Sequence, residues 1–482
     1  MTEHVDVLVI GAGISGISAG YYLQKQCPGK SYAILEGRSD LGGTWDLFRY
    51  PGIRSDSDMY TLGFAFKPWT SPKAIADGPD IMAYLRETVE EYGIDQRIRF
   101  QHRVKHANWS SETKRWTVTV HKGEADELVQ ISCNFFLMCS GYYSYDKAYT
   151  PDFPGTAQFK GQIVHPQFWT EDIDYANKKV VVIGSGATAV TLVPNLALKA
   201  SHVTMLQRSP GYVVARPAID PLVNWLRRRL SERQIYPLVR WKNLLSGMFL
   251  FWFARTFPKK AKEKIVAGVR EAVGPDYDVD KHFTPSYKPW DQRICLVPDA
   301  DLFRCIGKGQ ASVVTDHIVR FTEDGLLLKS GETLEADLIV TATGLDMKLG
   351  GGIVLSVDGQ AMDFHERWTY KGMMLSEIPN AFFAIGYTNA SWTLKIDLSS
   401  QYVCRLINYM DKNGYQQCVV HNNDLAVKEE NIVDFNSGYI QRALKYLPKQ
   451  GSRHPWKLYQ NYVLDRLTLG LGRIKDRAMQ FK

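Results

Sequence analysis

The chain has 482 residues, enough for two or three domains, and 45% apolar with 23% charged residues suits an ordinary globular core. A formal net charge of +7 favours anionic ligands, but without a binding motif it does not point to nucleic acid. The seven cysteines (Cys27, Cys133, Cys139, Cys295, Cys305, Cys404 and Cys418) form no C-x-x-C pair, which argues against a disulfide framework or a metal site and fits a reduced, cytosolic compartment.

The opening MTEHVDVLVIGAGISG has no basic n-region and no cleavage site, so it reads as a strand rather than a secretory signal. Residues 5–10, VDVLVI, are the β-branched run of a buried parallel strand. GAGISG follows at once, with Gly11, Gly13, Ser15 and Gly16, and then a helix-compatible ISAGYYLQKQ. In such a turn Gly11 permits the tight bend, Gly13 admits a pyrophosphate to the backbone, and Gly16 lets helix and strand pack closely. The helix N-terminus offers unpaired N–H groups to the phosphates. A second strand, SYAILE, ends on Glu36, placed to accept hydrogen bonds from a ribose.

NFFLMCSGYYS (134–144) reads as a strand and glycine turn returning to this unit. FKGQIVHPQFWT (159–170) has neither helical nor strand periodicity and sets His165 among bulky aromatics in what reads as a linker. KVVVIGSGATAV then repeats the fingerprint with Gly184, Ser185, Gly186, Ala187, Thr188 and Ala189. Its second strand, HVTMLQRSP, ends on Gln207, Arg208 and Ser209 where the first had a carboxylate. A guanidinium binds a 2′-phosphate and a carboxylate repels one, so Arg208 favours NADP over NAD; a solvated surface arginine is the plain alternative. Two sites with different ribose chemistry are read most economically as FAD at the first and NADPH at the second.

Residues 227–270 carry twelve Lys or Arg against Glu232 and Glu263, interleaved with Trp241, Phe249, Phe251, Trp252 and Phe253 and preceded by Trp225. The plain reading is a helical insert with a solvated basic face, its aromatics forming a small core and part of a substrate entrance. The rival reading is peripheral contact of 222–270 with an anionic membrane. LEADLIVTATGLD (334–346) closes the second unit, and AFFAIGYTNASW (381–392), followed by a helix over 394–410, returns to the first. The expected fold is α/β, with two Rossmann-like dinucleotide-binding domains: FAD at 1–145 and 350–482, NADP at 146–215 and 287–349, and a helical insert in the NADP domain at 216–286.

Together these motifs resemble the class B flavin monooxygenases and, within them, the type I Baeyer–Villiger monooxygenases. That family's fingerprint F-x-G-x-x-x-H-x-x-x-W is matched by Phe159, Gly161, His165 and Trp169, with Thr170 where the family has Pro or Asp. GGTWDLFRYPGIRSDSDMYTLGF (42–64), WDQRICLVP (290–298), YKGMML, GYTNASWTLK and LPKQGSR are similar to the ethionamide-activating (EthA-type) subgroup.

The resemblance implies a monooxygenase consuming NADPH and O2 that inserts oxygen into ketones through a C4a-peroxyflavin, giving esters or lactones, and also oxidises sulfides and thioamides. It implies that Arg293 stabilises the peroxide and the oxyanion of the carbonyl adduct, that Asp56 orients Arg293 near the flavin, and that Arg54 contacts the nicotinamide nucleotide. Gly43, Thr44, Trp45 and Val104 would line the flavin site, residues 387–392 would border the substrate cavity, and His165 would organise the hinge between domains. Gln292 stands where many relatives have lysine, which places more of the NADPH affinity on Arg208. The alternative is a heteroatom (S/N) flavin monooxygenase without Baeyer–Villiger activity. A flavin disulfide reductase lacks its paired cysteines here.

Overall fold

The computed structural model describes residues 2–433 and 438–482; residues 434–437, inside the expected second FAD segment, lie outside the described residues. The first β-branched run forms the strand Glu3–Ile10, whose last four residues are buried. It pairs in parallel with Tyr32–Leu35 on one side and with the second half of Glu127–Met138 on the other. These belong to a nine-stranded sheet. The first half of Glu127–Met138 pairs antiparallel with Arg115–Lys122, and further along the same strand Ala381–Phe383 runs parallel to it. Helix Ile14–Gln26 makes the first crossover. Gly11 there has φ +102°, and a Cβ on Gly16 would lie 1.9 Å from the Gly11 carbonyl oxygen, so this turn closes only with glycine at both positions.

The second sheet has five strands, all in parallel, in the order Ala311–Thr315, His202–Gln207, Lys179–Ile183, Leu338–Thr341 and Gln162–Val164. Helix Ala187–Leu196 follows the second glycine turn, with Ala189 wholly buried against the sheet. The chain passes between the two sheets twice. The two passages, Tyr143–Ala148 and Leu345–Met347, pair with each other as an antiparallel ribbon.

Four helices, Pro221–Leu226, Glu232–Thr256, Pro258–Val273 and Val279–Phe283, form the segment read as an insert of the second unit. In space they straddle both units. Ile235, Tyr236 and Val239 of the long helix join the core around the first sheet, whereas Val266 and Val269 of the next helix join the core of the second. The basic face is also only partly solvated. Arg240 is buried, and its Nη1 donates to the carbonyls of Tyr60 (2.8 Å) and Gly63 (2.7 Å), capping the end of helix Met59–Leu62. Its Nη2 lies 3.6 Å from the buried Asp397 carboxylate. Asp397 sits on helix Trp392–Lys412, which covers the helix expected over 394–410 and packs against Ile14–Gln26, with Ser18 Oγ donating to Asp397 at 2.8 Å.

Candidate active site

A cavity of about 420 Å3 runs along the C-terminal ends of the first parallel strands and continues to the second unit. Of the residues expected to hold FAD, Gly11, Gly13, Ser15, Glu36, Gly43, Thr44, Trp45, Asp56 and Val104 line it, whereas Gly16 lies behind the turn as a packing residue. The wall is open where a dinucleotide needs room. A Cβ on Gly13 would meet nothing closer than the Gly43 Cα at 3.7 Å, and Gly43 itself has φ +56°. Glu36 is buried, and its two oxygens accept from the Ala12 N–H (2.8 Å) and the Arg38 N–H (2.9 Å). Burial pushes its carboxyl up, and these two N–H groups oppose the shift. The fixed carboxylate keeps free lone pairs toward the cavity. The buried Ser140 Oγ, also in the wall, has no partner among the described residues. Glycine turn, oriented acid and unmatched hydroxyl together fit a bound dinucleotide.

At the far end stands Arg293, with Nη2 2.8 Å from Asp56 Oδ2. The pair lies deep among protein atoms, yet the side chains are 44% and 43% accessible because both open onto the cavity. Asp56 foremost holds the guanidinium above even its ordinary range, against the opposing effect of burial. Arg293 is therefore a permanent cation facing an internal space. Tyr142 and Tyr143 flank it, joined by an O–H···O bond of 3.1 Å, and the Tyr142 ring stacks on Trp392 at 4.9 Å. Trp392 Nε1 donates to Ser15 Oγ at 2.9 Å, which ties this aromatic wall to the first glycine turn. Within 387–392, Tyr387, Ala390, Ser391 and Trp392 line the cavity. Sequence reasoning missed Tyr142 and Tyr143, although they directly follow the strand-end glycine turn that it identified.

The residues expected at the second nucleotide divide into two groups. Arg54, Ala187 and Thr188 line the same cavity, whereas Gly184, Ser185, Gly186, Arg208 and Ser209 lie outside it, at the ends of the strands Lys179–Ile183 and His202–Gln207. A Cβ on Gly186 would meet nothing within 4 Å, and Arg208 is exposed, so this turn is open to a ligand as well. Gln207 faces inward, with its Nε2 bonded to the His282 carbonyl (2.7 Å) and Thr315 Oγ1 (2.9 Å). Arg54 is already engaged: its Nη1 lies 2.5 Å from Asp301 Oδ2 across the two units.

None of Phe159, Gly161, His165 and Trp169 reaches the cavity. His165 Nδ1 accepts from the Gln167 N–H (3.1 Å), so its Nε2 carries the proton and donates to the Gly344 carbonyl (3.1 Å). Burial lowers its pKa and favours this neutral form. Gln167, not foreseen, is buried and donates from Nε2 to the Ser144 carbonyl (2.9 Å) and the Tyr145 carbonyl (3.1 Å). The motif thus grips both passages between the sheets. Phe159 and Trp169 pack beside Phe321 and Tyr175, and Thr170 is exposed, away from the cavity.

Comparison with known proteins agrees with this arrangement. Residues 71–351 match the family model for flavin-binding monooxygenase-like proteins, and 9–86 match that for NAD(P)-binding Rossmann-like domains. The FAD-containing monooxygenase EthA of Mycobacterium tuberculosis is 53% identical over 482 residues, covering 100% of this chain and 98% of that protein. The probable FAD-binding monooxygenase AlmA of Acinetobacter baylyi is 47% identical over 483 residues, covering 100% and 97%. The fold is shared with an oxidised steroid monooxygenase bound to NADP (TM-score 0.77, 24% identity, 99% of each chain). It is shared also with an open form of cyclohexanone monooxygenase (TM-score 0.75, 21% identity, 100% of each chain). Identity of this extent along the whole chain, on a two-sheet frame with both glycine turns in place, makes the chain a member of the flavin-binding monooxygenase-like family, on its EthA side.

Proposed function

We propose that the chain binds FAD and NADPH and inserts one atom of O2 into ketones to give esters or lactones, and that it also oxidises sulfides and thioamides. The observation that carries the reading is Arg293: a cation fixed by Asp56 at 2.8 Å and opening onto a cavity walled by both units. The 53% identity to a FAD-containing monooxygenase and the fold shared with an NADP-bound steroid monooxygenase support the pair of cofactors. Gly11, Gly13 and the start of helix Ile14–Gln26 would hold the FAD pyrophosphate and Glu36 its ribose, with Gly43, Thr44, Trp45 and Val104 along the remainder. Gly184, Ser185, Gly186, Ala187, Thr188 and Ser209 would hold NADPH, with Arg208 on its 2′-phosphate. FAD reduced by NADPH supplies the activation of O2.

The chain's own residues determine what that oxygen does. Arg293 would stabilise negative charge on the attacking oxygen and then on the oxygen of the attacked carbonyl, as a fixed cation opening onto the cavity. Remaining protonated throughout, it is no proton donor, which favours attack by an anionic oxygen on an electrophilic carbonyl. Asp56 fixes the direction of the guanidinium. His165, neutral and outside the cavity, is a positioning residue at the hinge. In this reading 1–145 and 350–482 form the FAD-binding part, 146–215 and 287–349 the NADP-binding part, and 216–286 the helical segment.

The test is a compound bearing both a ketone and a thioether, incubated with the FAD-loaded protein, NADPH and isotopically labelled O2. A labelled ester is the expected product. Labelled sulfoxide without ester would replace this reading with that of a heteroatom oxygenase.

A further inference from the structure

The structure describes twenty exposed large hydrophobic side chains, and ten of them fall within 219–257. They are not scattered. On helix Glu232–Thr256, Leu238, Trp241, Leu245, Phe249 and Trp252 recur at spacings of three, four, four and three. At 3.6 residues per turn this is one outward stripe about 80° wide. The opposite face of the helix is spent on the core: Ile235, Tyr236, Val239 and Leu244 are buried. The stripe is extended by aromatic contacts, with Phe249 to Trp252 at 5.7 Å and Trp252 to Phe257 at 5.9 Å. A patch of this kind on a folded protein marks a binding surface.

Cations surround it. Arg229 lies 4.1 Å over the ring of exposed Trp225, Arg466 lies 5.5 Å over Trp241, and Lys260 lies 5.9 Å over Phe257. Arg228, Lys259 and Lys264 are exposed nearby. Of the two carboxylates in 227–270, Glu232 is already paired with Arg227. Exposed tryptophans carrying cations beside an apolar stripe suit the boundary between hydrocarbon and anionic headgroups. Among the described residues no helix is long and apolar enough to cross a membrane. A second copy of the chain fits less well, because a two-fold contact would press these cations against their own counterparts.

We infer that the face formed by helices Pro221–Leu226 and Glu232–Thr256 and the start of Pro258–Val273 docks on an anionic phospholipid surface, with the stripe entering the headgroup boundary and the cations on lipid phosphates. The cavity lies close behind this face. Leu244 and Met248 pack against Tyr387 and Ala390, and both of these line the cavity.

The test is cosedimentation of the full FAD-loaded chain with vesicles of mixed phosphatidylglycerol and phosphatidylcholine, against vesicles of phosphatidylcholine alone. Binding is expected to the first only and to weaken with added salt. Phe249→Glu with Trp252→Glu should lower partition about a hundredfold while FAD content and NADPH oxidation stay unchanged. Lys259→Gln with Lys260→Gln should lower it about thirtyfold. The inference is overturned if the FAD-loaded protein ignores anionic vesicles at low salt. It is overturned equally if the charge variants lose binding and the stripe variants keep it, which would be mere adsorption. Light scattering that finds a dimer dissociated by Phe249→Glu with Trp252→Glu, without vesicle binding, would assign the face to a second copy.

Discussion

Arg54 and Asp301 offer a way to separate a clamp between the two units from a contact with the nicotinamide nucleotide. The Arg54 side chain is only 7% accessible and Asp301 20%, so water screens the pair weakly. Asp301→Asn keeps an oxygen for the Leu302 N–H, which Asp301 Oδ1 meets at 2.8 Å, and puts an amide NH2 where Oδ2 accepted from Arg54, removing both the charge and the acceptor. The short charged hydrogen bond of 2.5 Å is lost, at about 2 kcal/mol. Arg54→Met strands a largely buried carboxylate and should cost about 3 kcal/mol, the low end for breaking such a pair because Asp301 retains some solvent. With both changes the carboxylate is gone as well, so the double variant should lose about 3 kcal/mol rather than 5, a coupling of about 2 kcal/mol. Urea unfolding of the FAD-loaded protein followed by flavin fluorescence gives all four stabilities. Coupling below about 0.5 kcal/mol would refute the clamp. If KM for NADPH rises for Arg54→Met but not for Asp301→Asn, the arginine also touches the nucleotide.

Arg293→Ala should retain FAD and still oxidise NADPH, but lose ester formation by about 100-fold or more; unchanged ester yield per NADPH would remove Arg293 from the chemistry. Arg208→Glu should raise KM for NADPH by tenfold or more, on the order expected for a lost charged hydrogen bond, and leave KM for NADH nearly unchanged. Equal effects on the two nucleotides would refute its 2′-phosphate role. His165, held neutral by burial, has a folded pKa below its unfolded value of about 6.5. Its contribution is therefore complete above about pH 6.5 and is lost as pH falls from there toward the depressed folded pKa. His165→Gln should flatten that part of the stability–pH curve; an identical slope would show that the histidine titrates normally.

Local patterns were enough to place the two strand–glycine–helix turns. Strand, glycine turn and helix are encoded within about 30 contiguous residues, so 5–36 and 179–208 could be read directly. The pairing of Asp56 with Arg293 was legible through family resemblance alone, since 237 positions separate them. Other contacts were hidden because nothing local specifies the partner. Arg240 stands in a run of cations that reads as a solvated face, and only the approach of the 60–63 carbonyls turns it inward. Arg54 reads as a ligand contact, and nothing local announces that it also pairs with Asp301, at the start of a helix 247 positions away. Gln167 looks like filler between His165 and Trp169, yet it meets two carbonyls of the crossing strand.

These hidden contacts share a chemistry that bears on how the cavity works. The two sheets have separate apolar cores, and besides the helices of 221–283, whose apolar residues enter both, a set of polar contacts ties one to the other. The crossing strands pair as a ribbon, His165 bonds to Gly344, Gln167 bonds to 144 and 145, Thr343 Oγ1 bonds to the Tyr149 carbonyl at 2.7 Å, and Arg54 bonds to Asp301. Polar contacts between domains exchange with water at modest cost, whereas an interdigitated apolar core resists shear. Arg293 comes from the second unit and its partner Asp56 from the first, so any rotation about the ribbon alters the direction in which the guanidinium points. His165 and Gln167, which bond to the two strands of that ribbon, therefore bear on where Arg293 meets Asp56.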